Sequence, residues 1–228
     1  MPKLPEVETV KRVLAPYLTG REILAVIVNH EKIIAHPKAD ELCEKHTHLM
    51  FALDNGQELR YEDTRRFGKF WLFENGEEDA ISGIHKLGLE PFSPVLSAEY
   101  LQAKPSKRKK PIKEMLMDQS VIAGIGNIYS DEILFTAKIR PDKLCNRLTS
   151  EELRTLSETI RERLAYFIDR NHITFEEYTI GKGKNYRNTP YLQVYGKGGS
   201  PCAVCGGILR RSAIGGRSSV FCEHCQKI

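Results

Sequence analysis

Four cysteines near the C-terminus constrain this chain more than any other feature. Cys202 and Cys205 are separated by two residues, sixteen residues follow, and Cys222 and Cys225 repeat the spacing. Two such pairs suit one zinc ion held by four thiolates, with each pair on a knuckle and the interval folded as a β-hairpin, a zinc ribbon. Four cysteines leave no coordination position open, so the metal is expected to be structural, one Zn2+ per chain. The other two cysteines, Cys43 and Cys145, stand alone, which argues against a disulfide scaffold. At the far end of the hairpin, Gly215-Gly216-Arg217-Ser218 presents Arg217 from a tight turn, toward a phosphate or into solvent.

A chain of 228 residues can bury a core and hold two units, or one plus a small appendage. The net charge of +4 is only mildly basic, so the location of the charge matters more than the total. Lys104 to Lys113 holds six basic residues in ten, a patch that suits a polyanion and equally a solvated surface. Glu74 to Asp79 form an acidic turn. The sequence has no apolar run of membrane-span length and opens with no signal-peptide pattern, so a cytoplasmic protein without a membrane partner is expected.

Leu4 to Leu18 reads as a helix with Val7, Val10, Val13/Leu14 and Tyr17 on one face. Ile23 to Val28 reads as a strand. Leu49–Leu53 and Glu58–Tyr61 flank Asn55-Gly56 as a hairpin, and Lys69–Phe73 is expected to continue the sheet. Between them, Asp63-Thr-Arg-Arg-Phe-Gly68 has the makings of a wedge into a base stack. A solvated turn with Phe67 packed inward is the reading favoured by the residues alone.

Beyond Ala98 the periodicity turns helical. Ile112–Gln119 leads into Val121-Ile-Ala-Gly-Ile-Gly-Asn-Ile-Tyr129 and a helix over 130–137. Two glycines before a helix make a turn whose amides suit phosphate oxygens, or a packing turn between helices. Thr149 to Glu152 caps a further helix with Leu153, Leu156, Ile160, Leu164 and Phe167/Ile168 as its core stripe. Residues 172–190 read as a mobile loop before a strand, Tyr191–Tyr195.

Pro2 follows the initiator Met, and Met removal would free a secondary amine. Such an amine ionises near neutrality, at a pKa of about 7.7–8.0, so part of it is ready to act as a nucleophile on a sugar or carbonyl carbon. An ordinary start to a helix is the alternative.

Taken together, the proline start with Leu-Pro-Glu-Val-Glu-Thr, the Arg-Arg-Phe-Gly loop, Gly124-x-Gly-Asn-Ile-Tyr-x-Asp-Glu132 and the ribbon carrying Gly-Gly-Arg resemble the formamidopyrimidine-DNA glycosylases over nearly the whole chain. The resemblance implies an α+β multidomain fold: an N-terminal β-sandwich with a leading helix (1–93), a helix-two-turn-helix domain (94–190) and a zinc ribbon (191–228). It implies base excision repair, with glycosylase and AP lyase action on double-stranded DNA carrying oxidised purines or abasic sites. The expected protein is a monomer, nucleoid-associated when bound to DNA. Pro2 would attack C1′ of a flipped-out nucleotide. Arg217 and Asn127 would grip phosphates, and Arg65 and Phe67 would fill the gap and wedge the opposite strand. His46, Arg108 and Lys113 fall on DNA-contact positions.

Two departures bear on activity. The family carries a Glu at position 3 as the acid for the sugar ring oxygen, and this chain has Lys3. Glu6, on the first helix, is the carboxyl that could substitute, which makes Pro2, Lys3, Glu6 and Arg217 the candidate catalytic set. The chain also runs directly from Glu41-Leu-Cys-Glu-Lys45 into His46, omitting some tens of residues of the sandwich. A sandwich without its inner strands is expected to expose edges and apolar faces. The alternative reading is therefore a catalytically impaired relative that binds damaged or abasic DNA without excision.

Overall fold

The computed structural model describes residues 4–29, 47–63, 67–74, 76–77, 84–104, 109–181 and 187–228, with backbone alone at 34–36. Two compact units emerge, Leu14–Lys86 and Met1–Val13 with Leu87–Ile228. The start of the chain belongs with the helices because its backbone and side chains bond to them, and the ribbon is clasped by a buried helix.

In the first unit, β1 (Ile23–Val28), β3 (Thr47–Leu53) and β4 (Glu58–Glu62) form an antiparallel sheet in the order β1-β3-β4. The Asn55-Gly56 turn joins β3 to β4, with Phe51 opposite Leu59 and Leu49 opposite Tyr61. Lys69–Phe73 does not extend this sheet. Only Phe70–Trp71 (β5) is a strand, and it pairs in parallel with β2 (Ile34–His36) as a second small sheet. The ring of Phe70 lies 4.8 Å from Tyr61 and 6.2 Å from Phe51, so the two sheets meet through aromatic side chains. Among the described residues β1 lies at the edge of its sheet, and Ile23 (54% exposed) and Leu24 (64%) lie open on its opposite faces. That is the consequence expected of a shortened sandwich.

The second unit is built around α5 (Ser150–Arg170), whose stripe Leu153, Leu156, Ile160, Leu164 and Phe167 is buried in the main core. Its N-terminus carries the expected capping box, Thr149 with Glu152. On it pack α2 (Ala98–Ala103) and α4 (Asn127–Thr136), and α3 (Ile112–Met117) packs in turn on α4, which starts three residues earlier than its pattern suggests. Helix α1 (Leu4–Leu18) buries Pro5, Thr9 and Val13 rather than the expected face, and Val7 and Tyr17 are exposed. A polar residue wins this position because the Thr9 hydroxyl donates to the Pro5 carbonyl and accepts from Asn171 Nδ2, both at 2.9 Å.

Two further expectations are corrected here. Residues 175–180 are a helix, α6 (Phe175–Ile180), with its own capping box from Thr174 and Glu177. Tyr191–Tyr195 is not a strand. The chain makes a short 3-10 turn, Thr189–Tyr191, and the amides of Gln193, Val194 and Tyr195 go instead to the Glu132 carboxylate. The C-terminal hairpin is β6 (Arg210–Ile214) with β7 (Arg217–Phe221), packed with Phe135, Val194 and Leu209.

Candidate nucleic-acid interface

The two-turn loop between α3 and α4 is held from inside. Gln119 accepts the Gly124 amide at 2.8 Å and donates to the Met117 and Ile125 carbonyls. Gly124 sits at φ +83, where a side chain is strained, and an added Cβ would lie 3.0 Å from the Leu4 Cβ. This close approach lets the Leu4 amide donate to the Gly124 carbonyl at 3.0 Å. The beginning of α1 is thereby fixed to the loop.

Immediately after the loop, α4 begins at Asn127 with Gly126 as an N-cap that offers no side-chain bond. No N-cap side chain covers this first turn, and the helix dipole favours an anion there. The Asn127 side chain is half-buried at this end, and its Oδ1 has no hydrogen-bond partner.

One turn further along, α4 looks inward. The Asp131 carboxylate accepts from Lys113 Nζ (2.7 Å), Ser219 Oγ (2.8 Å) and the Val220 amide (3.1 Å). Lys113 Nζ also donates to Ser219 Oγ and the Ser218 carbonyl. Lys113 is 0% exposed. This corrects its expected place on the DNA: all three of its donors are used internally, and no surface remains to meet a phosphate. Burial pushes the Lys113 ammonium down and the Asp131 carboxyl up, each opposed by the charge of the other. Burial likewise raises Glu132, against the three amides that it accepts. Neither clasp was read from the sequence. The signal was two adjacent acids within an otherwise apolar helix.

A third inward link joins α1 to the helices. Tyr129 donates to Glu6 Oε1 at 3.0 Å, and Asn188 Nδ2 donates to the Tyr129 hydroxyl at 3.2 Å and to the Phe167 carbonyl at 3.0 Å.

In the ribbon, the Sγ atoms of Cys202, Cys205, Cys222 and Cys225 all lie within 4.8 Å of one another. The Cys202–Cys225 and Cys205–Cys222 separations are 3.8 and 3.4 Å. A tetrahedral zinc with Zn–S bonds of about 2.3 Å needs sulfurs about 3.8 Å apart, so the four cysteines fit one ion. The knuckle backbone is set for thiolates. Against the raising effect of burial, the Cys205 and Val204 amides help bring Cys202 down to about 7. Burial and neighbouring sulfurs raise Cys225. Four sulfurs this close cannot all ionise without a cation between them. At the hairpin's far end, Gly215 and Gly216 adopt φ +55 and +71, a turn that L side chains rarely accept. Arg217 follows, exposed, as the first residue of β7.

In the other unit, Phe67 is 78% exposed, which overturns the expectation that it packs inward. Asp63 is the reason. Its carboxylate accepts the Phe67 and Gly68 amides, each at 2.9 Å, so backbone that would otherwise need a partner is satisfied with the ring turned out. Pro2, Lys3, His46, Arg65 and Arg108 lie outside the described residues.

A two-turn loop that opens onto an uncapped helix, beside a ribbon that presents an arginine, defines a DNA-binding protein of the helix-two-turn-helix and zinc-ribbon class. Comparison with known proteins agrees. The formamidopyrimidine-DNA glycosylase H2TH domain matches residues 87–179, the zinc finger found in FPG and IleRS matches 199–228, and the formamidopyrimidine-DNA glycosylase N-terminal domain matches 1–45. The chain is 34% identical to the formamidopyrimidine-DNA glycosylase of Pelotomaculum thermopropionicum, covering 100% of both chains. It is 35% identical to that of Pediococcus pentosaceus, covering 99% of both. A Lactococcus lactis Fpg bound to abasic-site DNA superposes with a TM-score of 0.84 at 27% identity, over 99% of this chain and 100% of that one. Its complex with Fapy-dG DNA gives 0.83 at 27% identity, again over 99% and 100%. The chain therefore belongs to the formamidopyrimidine-DNA glycosylase family, DNA glycosylases of base excision repair that carry one structural zinc. The Pelotomaculum alignment spans 275 positions against 228 residues here, so the shortfall falls as gaps within this chain.

Proposed function

We propose that this chain removes oxidised purines from duplex DNA and then cleaves the abasic strand, acting as a monomer through Pro2. The observation that carries the proposal is the Leu4 amide bound to the Gly124 carbonyl. It ties the start of the chain to the loop whose next element, Asn127 on α4, offers donors to a phosphate. Pro2 precedes Leu4 by two residues, so chain length keeps it within about 7 Å of that anchor. Asn127 and Arg217 would hold the backbone on either side of a flipped nucleotide. Phe67 would enter the stack that the lesion leaves. The Pro2 amine attacks C1′, the base departs, the resulting iminium acidifies the neighbouring sugar proton, and β- and δ-elimination cut the strand.

Lys3 bears on the first step alone. A cation beside Pro2 favours the neutral amine and so the nucleophile, but it is a poor acid for the sugar ring oxygen. Lys3→Glu is therefore expected to raise excision of 8-oxoguanine by about a hundredfold, with little change in cleavage of a pre-formed abasic site. An equal effect on both substrates would show that Lys3 does not limit base release. Phe67→Ala should slow excision about tenfold by losing the stacking wedge. Its melting temperature should be unchanged, because the ring is 78% exposed.

Borohydride trapping on two duplexes, one with 8-oxoguanine and one with an abasic site, tests the reading directly. Adducts on both support it, and an adduct on the abasic duplex alone leaves a lyase. No adduct, with binding retained, leaves the non-excising relative. That second reading draws on Lys3 and on the open β1 edge of the short sandwich.

A further inference from the structure

We infer that Gln119 and Gly88 are positioning residues for the phosphate grip of the two-turn loop, acting through Asn127. The inference rests on the reading of Asn127 at a phosphate, and all three residues belong to the helical unit. The Asn127 Oδ1 is buried without a partner, so it does not fasten the side chain to the fold. Where Asn127 points is therefore set by the backbone that carries it.

A loop of turns has no ladder to hold it, so its polar groups must find partners elsewhere. Gln119 supplies three of these bonds from one side chain. Its Oε1 accepts the Gly124 amide at 2.8 Å, and its Nε2 donates to the Met117 and Ile125 carbonyls at 3.0 and 2.9 Å. The end of α3, the left-handed Gly124 and Ile125 are thereby joined at one point, two residues before Asn127. Both donors and the acceptor of the amide are used, so no side chain that only donates or only accepts can replace it.

The back of the loop is closed by a strap from elsewhere in the chain. The Gly88 amide donates to the Gln119 carbonyl at 2.8 Å, and the Ala123 amide donates to the Leu89 carbonyl at 3.0 Å, with Leu89 bridged to Ile122. The Tyr100 hydroxyl donates to the Val121 carbonyl at 2.7 Å. Gly88 is a glycine for room rather than for conformation. Its φ lies outside the left-handed region, yet an added Cβ would sit 2.2 Å from the Val121 carbonyl oxygen and 2.3 Å from its carbon. Those are backbone atoms of the loop itself, so a side chain at position 88 must push the loop away. The Val121 and Ile122 side chains are buried in the main core, which leaves the loop one seat.

Gln119 thus holds the loop from inside and Gly88 holds it from behind. Neither needs to touch DNA. A hydrogen bond weakens once its heavy atoms part by more than about 3.2 Å, so a small shift of the loop costs the Asn127 contact while Asn127 itself is intact. The same shift reaches α1, because the Gly124 carbonyl accepts the Leu4 amide.

The test is a pair of double-mutant cycles on the full zinc-loaded chain. The probe is a duplex carrying a reduced abasic site, whose sugar has no aldehyde to react, and affinity is read by fluorescence anisotropy. Asn127→Ala, Gln119→Met and Gly88→Ala should each weaken binding about tenfold, at temperatures where thermal melts show every variant folded. Gln119→Met and Gly88→Ala, each combined with Asn127→Ala, should bind little more weakly than Asn127→Ala alone, because residues that act through one contact do not add. Combined losses of about a hundredfold, the product of independent effects, overturn the inference; a purely structural role would give that result. Single variants at Gln119 and Gly88 that bind at the unmodified affinity overturn it as well. An Asn127→Ala variant that binds as tightly as the unmodified chain removes the phosphate reading itself, a different failure.

Discussion

Stripping the zinc, or replacing Cys222 with serine, should abolish specific binding to duplex DNA while the helical core stays folded. The ribbon buries little of its own. Its cluster consists of Val194, Cys202, Leu209, Val220 and Cys222 against Phe135 of α4, and two of these are metal ligands. A structural zinc in so small a unit supplies about 10–16 kcal/mol of folding free energy, more than such a cluster can replace. Without the ion, nothing joins the four sulfurs that lie within 4.8 Å of one another, and the knuckles open. Arg217 loses its platform because the turn before it is shaped by the hairpin. Gly215 sits so close to α3 that a Cβ there would lie 2.5 Å from Glu114 Cγ, so Arg217 projects from one defined place. The main core around α5 contains no ribbon ligand, so helical circular dichroism should persist. Affinity should fall toward the non-specific level, about a thousandfold. Unchanged affinity in the zinc-free protein would mean that the ribbon does not carry the DNA contact.

What could be read in advance was whatever the local sequence decides. The cysteine spacing, the Thr149–Glu152 capping box and the Asn55-Gly56 hairpin each state their geometry within a few residues. The two glycines before Asn127 also marked a helix start, and α4 begins at Asn127 itself. The misses share a cause: a partner far away in sequence. Gln193 to Tyr195 alternate like a strand, but their amides were claimed by Glu132. Thr9 interrupts an apolar face, and Asn171 makes it the buried residue. Phe67 turns outward because Asp63 takes its amide. Thr174 and Glu177 were a local signal overlooked, because the polar stretch around them suggested a loop. Lys113 is the hardest case. Within a basic run it cannot be told from Lys109 or Lys110 until Asp131 is seen opposite it.

Lys113 carries the other large effect. Lys113→Met should destabilise the helical unit by about 3–5 kcal/mol, because Asp131 is left as a buried charge that has lost its counter-ion. The pair is fully enclosed, with both side chains 0% exposed and 2.7 Å apart. Burial works against both charges, lowering the lysine and raising the aspartate, so the intact pair is not itself a large source of stability. What it enforces is register. Through Ser218 and Ser219 it pins β7 one residue beyond Arg217, joining α3, α4 and the ribbon at one point. For a chain of this size, the loss corresponds to a melting temperature about 6–20 °C lower. DNA binding should weaken even at temperatures where the variant remains folded, because Arg217 is no longer held in place. Adding Asp131→Asn to Lys113→Met removes the stranded charge while keeping an acceptor for the Val220 amide. The double variant should therefore recover most of the lost melting temperature but not the DNA affinity. If Lys113 instead met phosphate directly, Lys113→Met would leave the melting temperature unchanged and would lower only the salt dependence of binding, by about one unit in slope. Thermal melts of both variants, alongside binding measured across a salt series, separate the two cases.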